Sequence, residues 1–506
     1  MTGAQEPGTP GSPTASEGTL AGSARDRGRR SAARWLGRRV RRLVYGTVLD
    51  WHTRRDVRTF QEDDAQANLE TSPPEDERVR AHCVWAVEFF GPTEQAQLLA
   101  ALSRLNWDRS GFWYGNVSQW IRQAREGSGG GWLNLGTITR RGDKRWLGDK
   151  RYASLPRAFD FARGRVVNMS SGLTAVVMQF VLRDEFTGRL DHALRARYQT
   201  YAARTERRIG FHLPRNQKQK AVGRILDDYR QQAASWFRAE LPGLFAGGLL
   251  GIHFPTCVFL TTDRARPFDD EAVRSLDSYV EILGLGHQWD IWNSEHLTGL
   301  TLHVSRYDAS PALNLIIAGR SDEVFTHERG EGAGGDAEWG MVYRLSLDFT
   351  DSITFLAIES LLRGYDARLA RLRDELRSLA DREDERALRR VRREILAVGG
   401  DIQPVASGLS QSLAHWRIGI DFSPAPGHPL PDKTIKLMDE RRKHFIERAT
   451  RLVGTQAWMR DVLSAAASLS AATVALRLGR LSLFVSLIAT AAAVTAVLGT
   501  WLSSPR

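Results

Sequence analysis

The side chains best suited to metal chemistry fall in GHQWDIWNSEH, where His287, Asp290, Glu295 and His296 lie within ten residues of one another. Imidazoles and carboxylates are suitable ligands, yet their spacing matches no zinc or iron pattern, so no metal or other cofactor is expected. His253 and His303 stand inside apolar, strand-like runs and read as core histidines. The glycines of GSGGGWLNLG, from Gly127, suggest a phosphate cradle but lack the Lys-Ser or Lys-Thr that such a loop needs. They read as a flexible surface loop, and GEGAGGDAEWG from Gly330 reads as a disordered one. Cys83 and Cys257, the only cysteines, sit in apolar runs that favour inert burial over nucleophilic work. Gly-x-Ser-x-Gly is missing from the sequence. Around Arg215, Lys218 and Lys220 the stretch FHLPRNQKQKAVGR forms a basic patch suited to phosphate or acidic lipid, although a solvated helix start has the same composition. The 15 tryptophans are dispersed, which suits core and interface positions better than a base-stacking platform. No catalytic residue is assigned.

The elements that would position these groups follow from charge and periodicity. At 506 residues there is room for two or more domains, and 42% hydrophobic content excludes a multi-pass transporter. The net charge of +11 points to an anionic neighbour, lipid headgroups or nucleic acid, although an arginine excess also fits GC-rich coding. Two thiols build neither a disulfide framework nor a four-thiolate zinc site, so a reduced cytosol fits best. Residues 1–30 are rich in Gly, Pro, Ser and Thr, hold no apolar core for a secretory signal, and are expected to be disordered. Over 31–56 a basic amphipathic helix is expected, with Leu36, Val40, Leu43 and Val44 on one face and Arg34, Arg38, Arg41 and Arg42 opposite. Contact with an anionic membrane surface and docking on the body are both open readings; nucleic acid is the least favoured partner. A linker covers 57–80.

A mixed α/β body is expected over 81–350. Strands are predicted at AHCVWAVEFF, LTAVVMQFVL, GIHFPTCVFLTT, TGLTLHVSRY and ALNLIIAG, and helices at GPTEQAQLLAALSRLNW, LDHALRARYQTYAART and KAVGRILDDYRQQAASWFRAEL. From 351 to 400 Ile358, Leu362, Tyr365, Leu369, Leu372, Leu376 and Leu379 recur in steps of three and four. That is a heptad stripe, of a coiled coil or of an antiparallel hairpin within one chain, expected to end at Gly399-Gly400. A connector is placed at 401–431. A stalk helix over 432–480 continues the heptad through Phe445, Ala449, Leu452, Met459 and Leu463.

Residues 481–502, LSLFVSLIATAAAVTAVLGTWL, hold no ionisable side chain, and ten of them are Leu, Ile, Val or Phe. As a helix they span roughly 30 Å, the thickness of a bilayer core, and are predicted to cross it. Arg477 and Arg480 precede the span, which places the bulk of the chain on the cytoplasmic side of the cell membrane. Ser482, Ser486, Ala489, Ala493, Ala496 and Thr500 share one narrow stripe, with the large residues opposite. Small residues let membrane helices approach closely, so self-association through this stripe is expected.

A mixed α/β head, charged helices and a long helix entering the bilayer together resemble the CorA-type magnesium channels. RLGRLSLFVSLIATAAAVTAVLGT is similar in texture to that family's first membrane helix. The likeness covers about the last 70 residues. That family carries Gly-Met-Asn after its first span and then a second span; here Gly499-Thr500-Trp501 stands at that point and no second span follows it. The ion-selecting signature is missing, so magnesium transport does not carry over. The fold class expected is α+β, followed by coiled-coil or stalk helices and one C-terminal transmembrane helix. The function expected is a single-pass, self-associating protein with a cytosolic binding or sensing head. A CorA-like pore or membrane effector, and a tethered enzyme whose site the sequence does not reveal, are the alternatives.

Overall fold

The computed structural model describes residues 53–108, 116–127, 131–143, 150–204, 209–248, 250, 254–268, 279–286, 291–304, 314–325, 337–380, 385–416, 419–425 and 434–502. It is a mixed α+β chain that divides into two units.

The smaller unit comprises residues up to Gln66 together with Gln199–Leu213. A helical stretch over 53–62 runs from the end of the expected basic helix into the segment expected to be a linker. A hairpin of Tyr201–Arg204 and Ile209–His212 completes the unit. Phe60 meets Phe211 at 5.2 Å between ring centroids, and the Asp64 carboxylate accepts from the Thr200 amide and hydroxyl at 2.6 and 2.5 Å. LDHALRARYQTYAART is therefore not one helix. It stops after Arg195, and its C-terminal part, rich in Thr and Tyr, enters the hairpin.

In the larger unit β1 (Val79–Phe90), β2 (Gly131–Thr139), β3 (Lys150–Tyr152), β4 (Phe159–Ser170) and β5 (Leu173–Leu182) form one half of a ten-stranded sheet. With the two hairpin strands counted as β6 and β7, the other half is β8 (Thr256–Thr262), β9 (Ile291–Ser294), β10 (Leu300–His303), β11 (Asn314–Arg320) and β12 (Phe422–Pro424). The order is β12-β9-β10-β11-β8-β1-β5-β4-β2-β3, with β11–β8 and β2–β3 parallel and the remaining pairs antiparallel. The sheet thus draws a strand from the segment expected to be a connector.

Helices cover both faces, as adjacent residues of β5 demonstrate. Gln179 donates to the carbonyl of Val342 in the helix Ala337–Ala380, and Phe180, pointing to the opposite face, packs edge-on against Trp236 of the helix Pro214–Glu240 at 5.4 Å. Burial on both sides explains why β1 and β5 read as nearly continuous apolar runs. Glu88 interrupts the apolar run of β1, as Arg80 and His82 do nearer its start. Glu88 is fully buried and accepts from the amides of Phe89, Phe245 and Ala246 at 3.0, 2.8 and 2.7 Å, pinning the turn after the helix Pro214–Glu240 to the strand. Gly243 permits this approach, since a Cβ there would stand 2.4 Å from the Phe89 carbonyl oxygen.

Burial pushes the Glu88 carboxyl up to about 8, against the pull of those amides. A folded value above the ordinary carboxylate value means that the fold favours the proton. Its contribution to stability is then full below about pH 4.5 and lost as pH rises through 8, by up to about 5 kcal/mol. Glu88→Gln is expected to flatten that stretch of a urea-denaturation pH profile, at a cost of about 1–3 kcal/mol at acidic pH for the amide left unpaired.

Three long helices follow, labelled here αA (Ala337–Ala380), αB (Glu385–Leu413) and αC (Leu437–Leu502). The heptad residues Ile358, Leu362, Tyr365, Leu369 and Leu372 are buried against Val391, Ile395, Val398 and Ile402 of αB and Phe445, Ala449, Leu452 and Met459 of αC. Of the two readings of this stripe, packing within one chain is the one seen. αA starts before residue 351, and αB continues through Gly399-Gly400 to Leu413. The glycine pair does not end the helix: Gly399 lies against αC, where a Cβ would stand 2.3 Å from the Gln456 side-chain nitrogen, and Gly400 faces open space. Arg448 binds Glu359 at 2.8 Å and Asp366 at 2.6 Å, tying αC to αA. αC is 66 residues long, about 100 Å at 1.5 Å per residue.

Candidate functional site

Two features of the larger unit are built for something other than its own core. The first is the distal half of αC. Leu478–Thr495 has a mean hydropathy of 1.7, and none of it is buried. Leu483, Phe484, Leu487 and Ile488 are 59–70% exposed. A terminal helix buried in its own core would not show this exposure. The hydroxyls of Thr490 and Thr495 turn back to the carbonyls of Ser486 and Ala491 at 2.8 and 2.9 Å, so they do not need water. By length and composition this one helix, among the described residues, can cross a membrane.

Ser482, Ser486, Ala489 and Ala493 lie exposed along it, with Ala496 and Thr500 further on in the same helix. Arg477 and Arg480 lie on αC at the start of the apolar stretch, and Arg480 is exposed. Arg34, Arg38, Arg41 and Arg42 lie outside the described residues.

The second feature sits between the sheet and αA. In β4 the alternation of side chains sends Arg163 and Arg165 to the αA face, and the register sets Arg163 directly opposite Gln179 of β5. The guanidinium of Arg163 stands 4.1 Å from the centroid of the Tyr343 ring and donates to the Ser346 hydroxyl at 3.1 Å. Burial pulls its pKa down to about 10. Arg165 is 5% exposed and held on every side: it donates to Asn134 Oδ1 at 3.1 Å, Asp351 at 3.0 Å and the Leu347 carbonyl at 3.0 Å, and lies 4.7 Å from the Trp132 ring. A cavity of about 190 Å³ opens beside this pair, lined also by Gln179, Thr137, Ser346 and Thr350. A bulge in β2 between Asn134 and Gly136, where Gly136 takes φ 78, shapes its rim. A larger cavity of about 740 Å³ adjoins Trp132 and Asp351 and reaches Ser170, His415 and Trp416.

The groups singled out by sequence fare differently. Cys83 and Cys257 are buried, and burial pushes both thiols up, which suits inert positions. Lys218 is no part of a surface patch: it is fully buried and donates to the Asn68 carbonyl and the Ser72 hydroxyl at 2.9 and 2.8 Å. The helical turn places Lys218 on the inner face of its helix, and burial lowers it to about 8. Glu295 pairs with Lys436 at 2.8 Å, while His253, His287 and Asp290 lie outside the described residues. The glycines after Gly127 are not wholly a loop, because Gly131 already begins β2. Arg163, Arg165 and Gln179 were not singled out by sequence, although FARGRV carries its two arginines at the period-two spacing that puts them on one strand face.

No protein-family model matches the chain, and no curated protein matches it. Among solved structures, the CorA magnesium transporter from Methanocaldococcus jannaschii is similar with a TM-score of 0.25 and 12% identity, over 50% of this chain and 81% of that one. A superposition that loose assigns no residue of this chain a role.

Proposed function

We propose that the protein is anchored in a membrane by the distal half of αC and holds its α+β head, braced by αA and αB, at the cytoplasmic face as a binding or sensing module. The observation that carries this reading is an 18-residue apolar helical stretch, none of it buried, at the end of a helix whose first half is packed. In water every such Leu or Phe forgoes about 1.5–3 kcal/mol of burial. A bilayer supplies that burial with no further protein. Arg477 and Arg480 at the head end of the span favour the cytoplasmic side for the head.

Alkaline carbonate extraction combined with protease treatment of intact cells tests both parts. The chain is expected in the membrane pellet, with the head protected until the cells are opened. Release into the alkaline supernatant would rule out the anchor.

Copies are further proposed to associate through Ser482, Ser486, Ala489, Ala493, Ala496 and Thr500, whose small side chains allow close helix contact. Light scattering of detergent-solubilised protein is expected to give an oligomer that Ser486→Leu with Ala493→Leu disperses. A wild-type monomer would remove self-association and leave the anchor standing.

A further inference from the structure

We propose that the chamber bounded by Arg163, Arg165 and Gln179 binds a small oxyanion that retains a proton, of the hydrogen-phosphate class. This reading does not depend on whether αC enters a bilayer.

The charge argument comes first. Two guanidiniums line a cavity of about 190 Å³, and among its described lining residues there is no carboxylate. Asp351, which Arg165 binds, lines the larger cavity instead. The hydroxyls of Thr137, Ser346 and Thr350 line the remaining walls; those of Ser346 and Thr350 donate to the Tyr343 and Ser346 carbonyls, which leaves the guanidiniums as the main donors. Positive charge in a partly desolvated chamber favours an anion. Arg165 is fixed by its three hydrogen bonds and by Trp132, so its position is set before any ligand arrives.

The proton requirement comes from Gln179. This side chain is 1% exposed and lines the same cavity. Its nitrogen is committed to the Val342 carbonyl at 3.0 Å and the Cys83 sulfur at 3.4 Å. Its carbonyl oxygen, Oε1, has no hydrogen-bond partner among the described residues. Turning the amide over would set that oxygen against the Val342 carbonyl, so the assignment is fixed. A buried acceptor without a donor is costly. A ligand that satisfies both walls presents anionic oxygens to the arginines and one O–H to Gln179. Hydrogen phosphate does this at neutral pH, whereas sulfate, of the same shape, has no proton to offer.

Isothermal titration of the full-length protein in detergent, at constant ionic strength, tests the proposal with sodium phosphate and sodium sulfate as probes. Saturable phosphate binding is expected, about ten-fold or more tighter than sulfate, because a site left with an unpaired acceptor discriminates strongly. Arg163→Lys is expected to weaken phosphate by about ten-fold, since an ammonium cannot replace a two-pronged guanidinium. Gln179→Leu is expected to bring phosphate and sulfate within about two-fold of each other. Should loss of the Val342 bond unfold that variant, Ser346→Ala, which removes the hydroxyl bonded to both Arg163 and the Tyr343 carbonyl, is expected to weaken phosphate at least about three-fold. No saturable phosphate binding, equal affinity for sulfate in the native protein, or unchanged affinity in both Arg163→Lys and Ser346→Ala would each overturn the proposal. At a pH below the second ionisation of methyl phosphate, where it keeps one O–H, competition as strong as that of phosphate identifies a phosphate monoester on a larger ligand, and failure to compete identifies the free ion.

Discussion

Replacing Leu487 and Ile488 together by Asp is expected to move the protein from the membrane pellet to the aqueous fraction. Each carboxylate at the centre of a spanning helix costs about 3 kcal/mol on the insertion scale, and each lost Leu or Ile removes a further 0.3–0.6 or so. Two such changes therefore cost about 7 kcal/mol, more than the roughly 3–6 kcal/mol that ten Leu, Ile, Val and Phe residues contribute over 481–502. Both side chains are exposed, at 69 and 59%, so neither substitution disturbs packing in the head. The released variant is then expected to keep the thermal melting transition of the wild-type head. Leu487→Ala with Ile488→Ala, which removes apolar area without adding charge, is expected to stay in the pellet. Fractionation of the two variants side by side separates insertion from simple hydrophobic contact.

The second large effect is expected where αC meets αA. Glu359 is 5% exposed and is paired with Arg448 at 2.8 Å and Arg363 at 2.7 Å. Burial alone would raise its carboxyl, but Arg448, Arg363 and Arg441 outweigh burial and hold it below its ordinary value. Arg448→Met removes the bridge to αC and leaves Glu359 in an apolar seam with one partner fewer. Breaking a buried pair from one side costs about 3–5 kcal/mol, read as a loss of stability in chemical denaturation. The double variant Glu359→Leu with Arg448→Met is expected to regain most of that loss, because the buried carboxylate is then gone and Asp366 and Arg363, each about a third exposed, can turn to water. Because the folded value is depressed, the stability this pair contributes is present at neutral pH and lost as the medium is acidified through that value.

The legible parts of this chain were those in which one physical term dominates. β1 and β5 could be read because strands buried on both faces become continuous apolar runs, and αC because an uncharged stretch of bilayer length has few other uses. The heptad on αA announced helix packing but not its partner, since the same stripe serves a neighbouring chain or a hairpin; burial of Tyr365 and Leu369 within the chain decides this. β4 was missed because Arg163, Gly164 and Arg165 interrupt its apolar pattern. Those same residues make the chamber, and the feature that hid the strand is what gives it chemistry. β12 was hidden for another reason: three residues, one of them Pro424, carry no period of their own and become a strand only by pairing with β9. Lys218 misled through its neighbours, because a basic sequence does not reveal which of its lysines the helix turns inward.

The most direct test of the anchor uses a nitroxide on Leu487→Cys. Cys83 and Cys257 are buried with raised thiol pKa values, so labelling is expected only at the introduced cysteine. In reconstituted vesicles the spin label is predicted to be relaxed strongly by oxygen, which partitions into hydrocarbon, and hardly at all by a water-soluble nickel chelate. A label at residue 487 as accessible to the nickel chelate as one on the exposed face of the head would contradict the account.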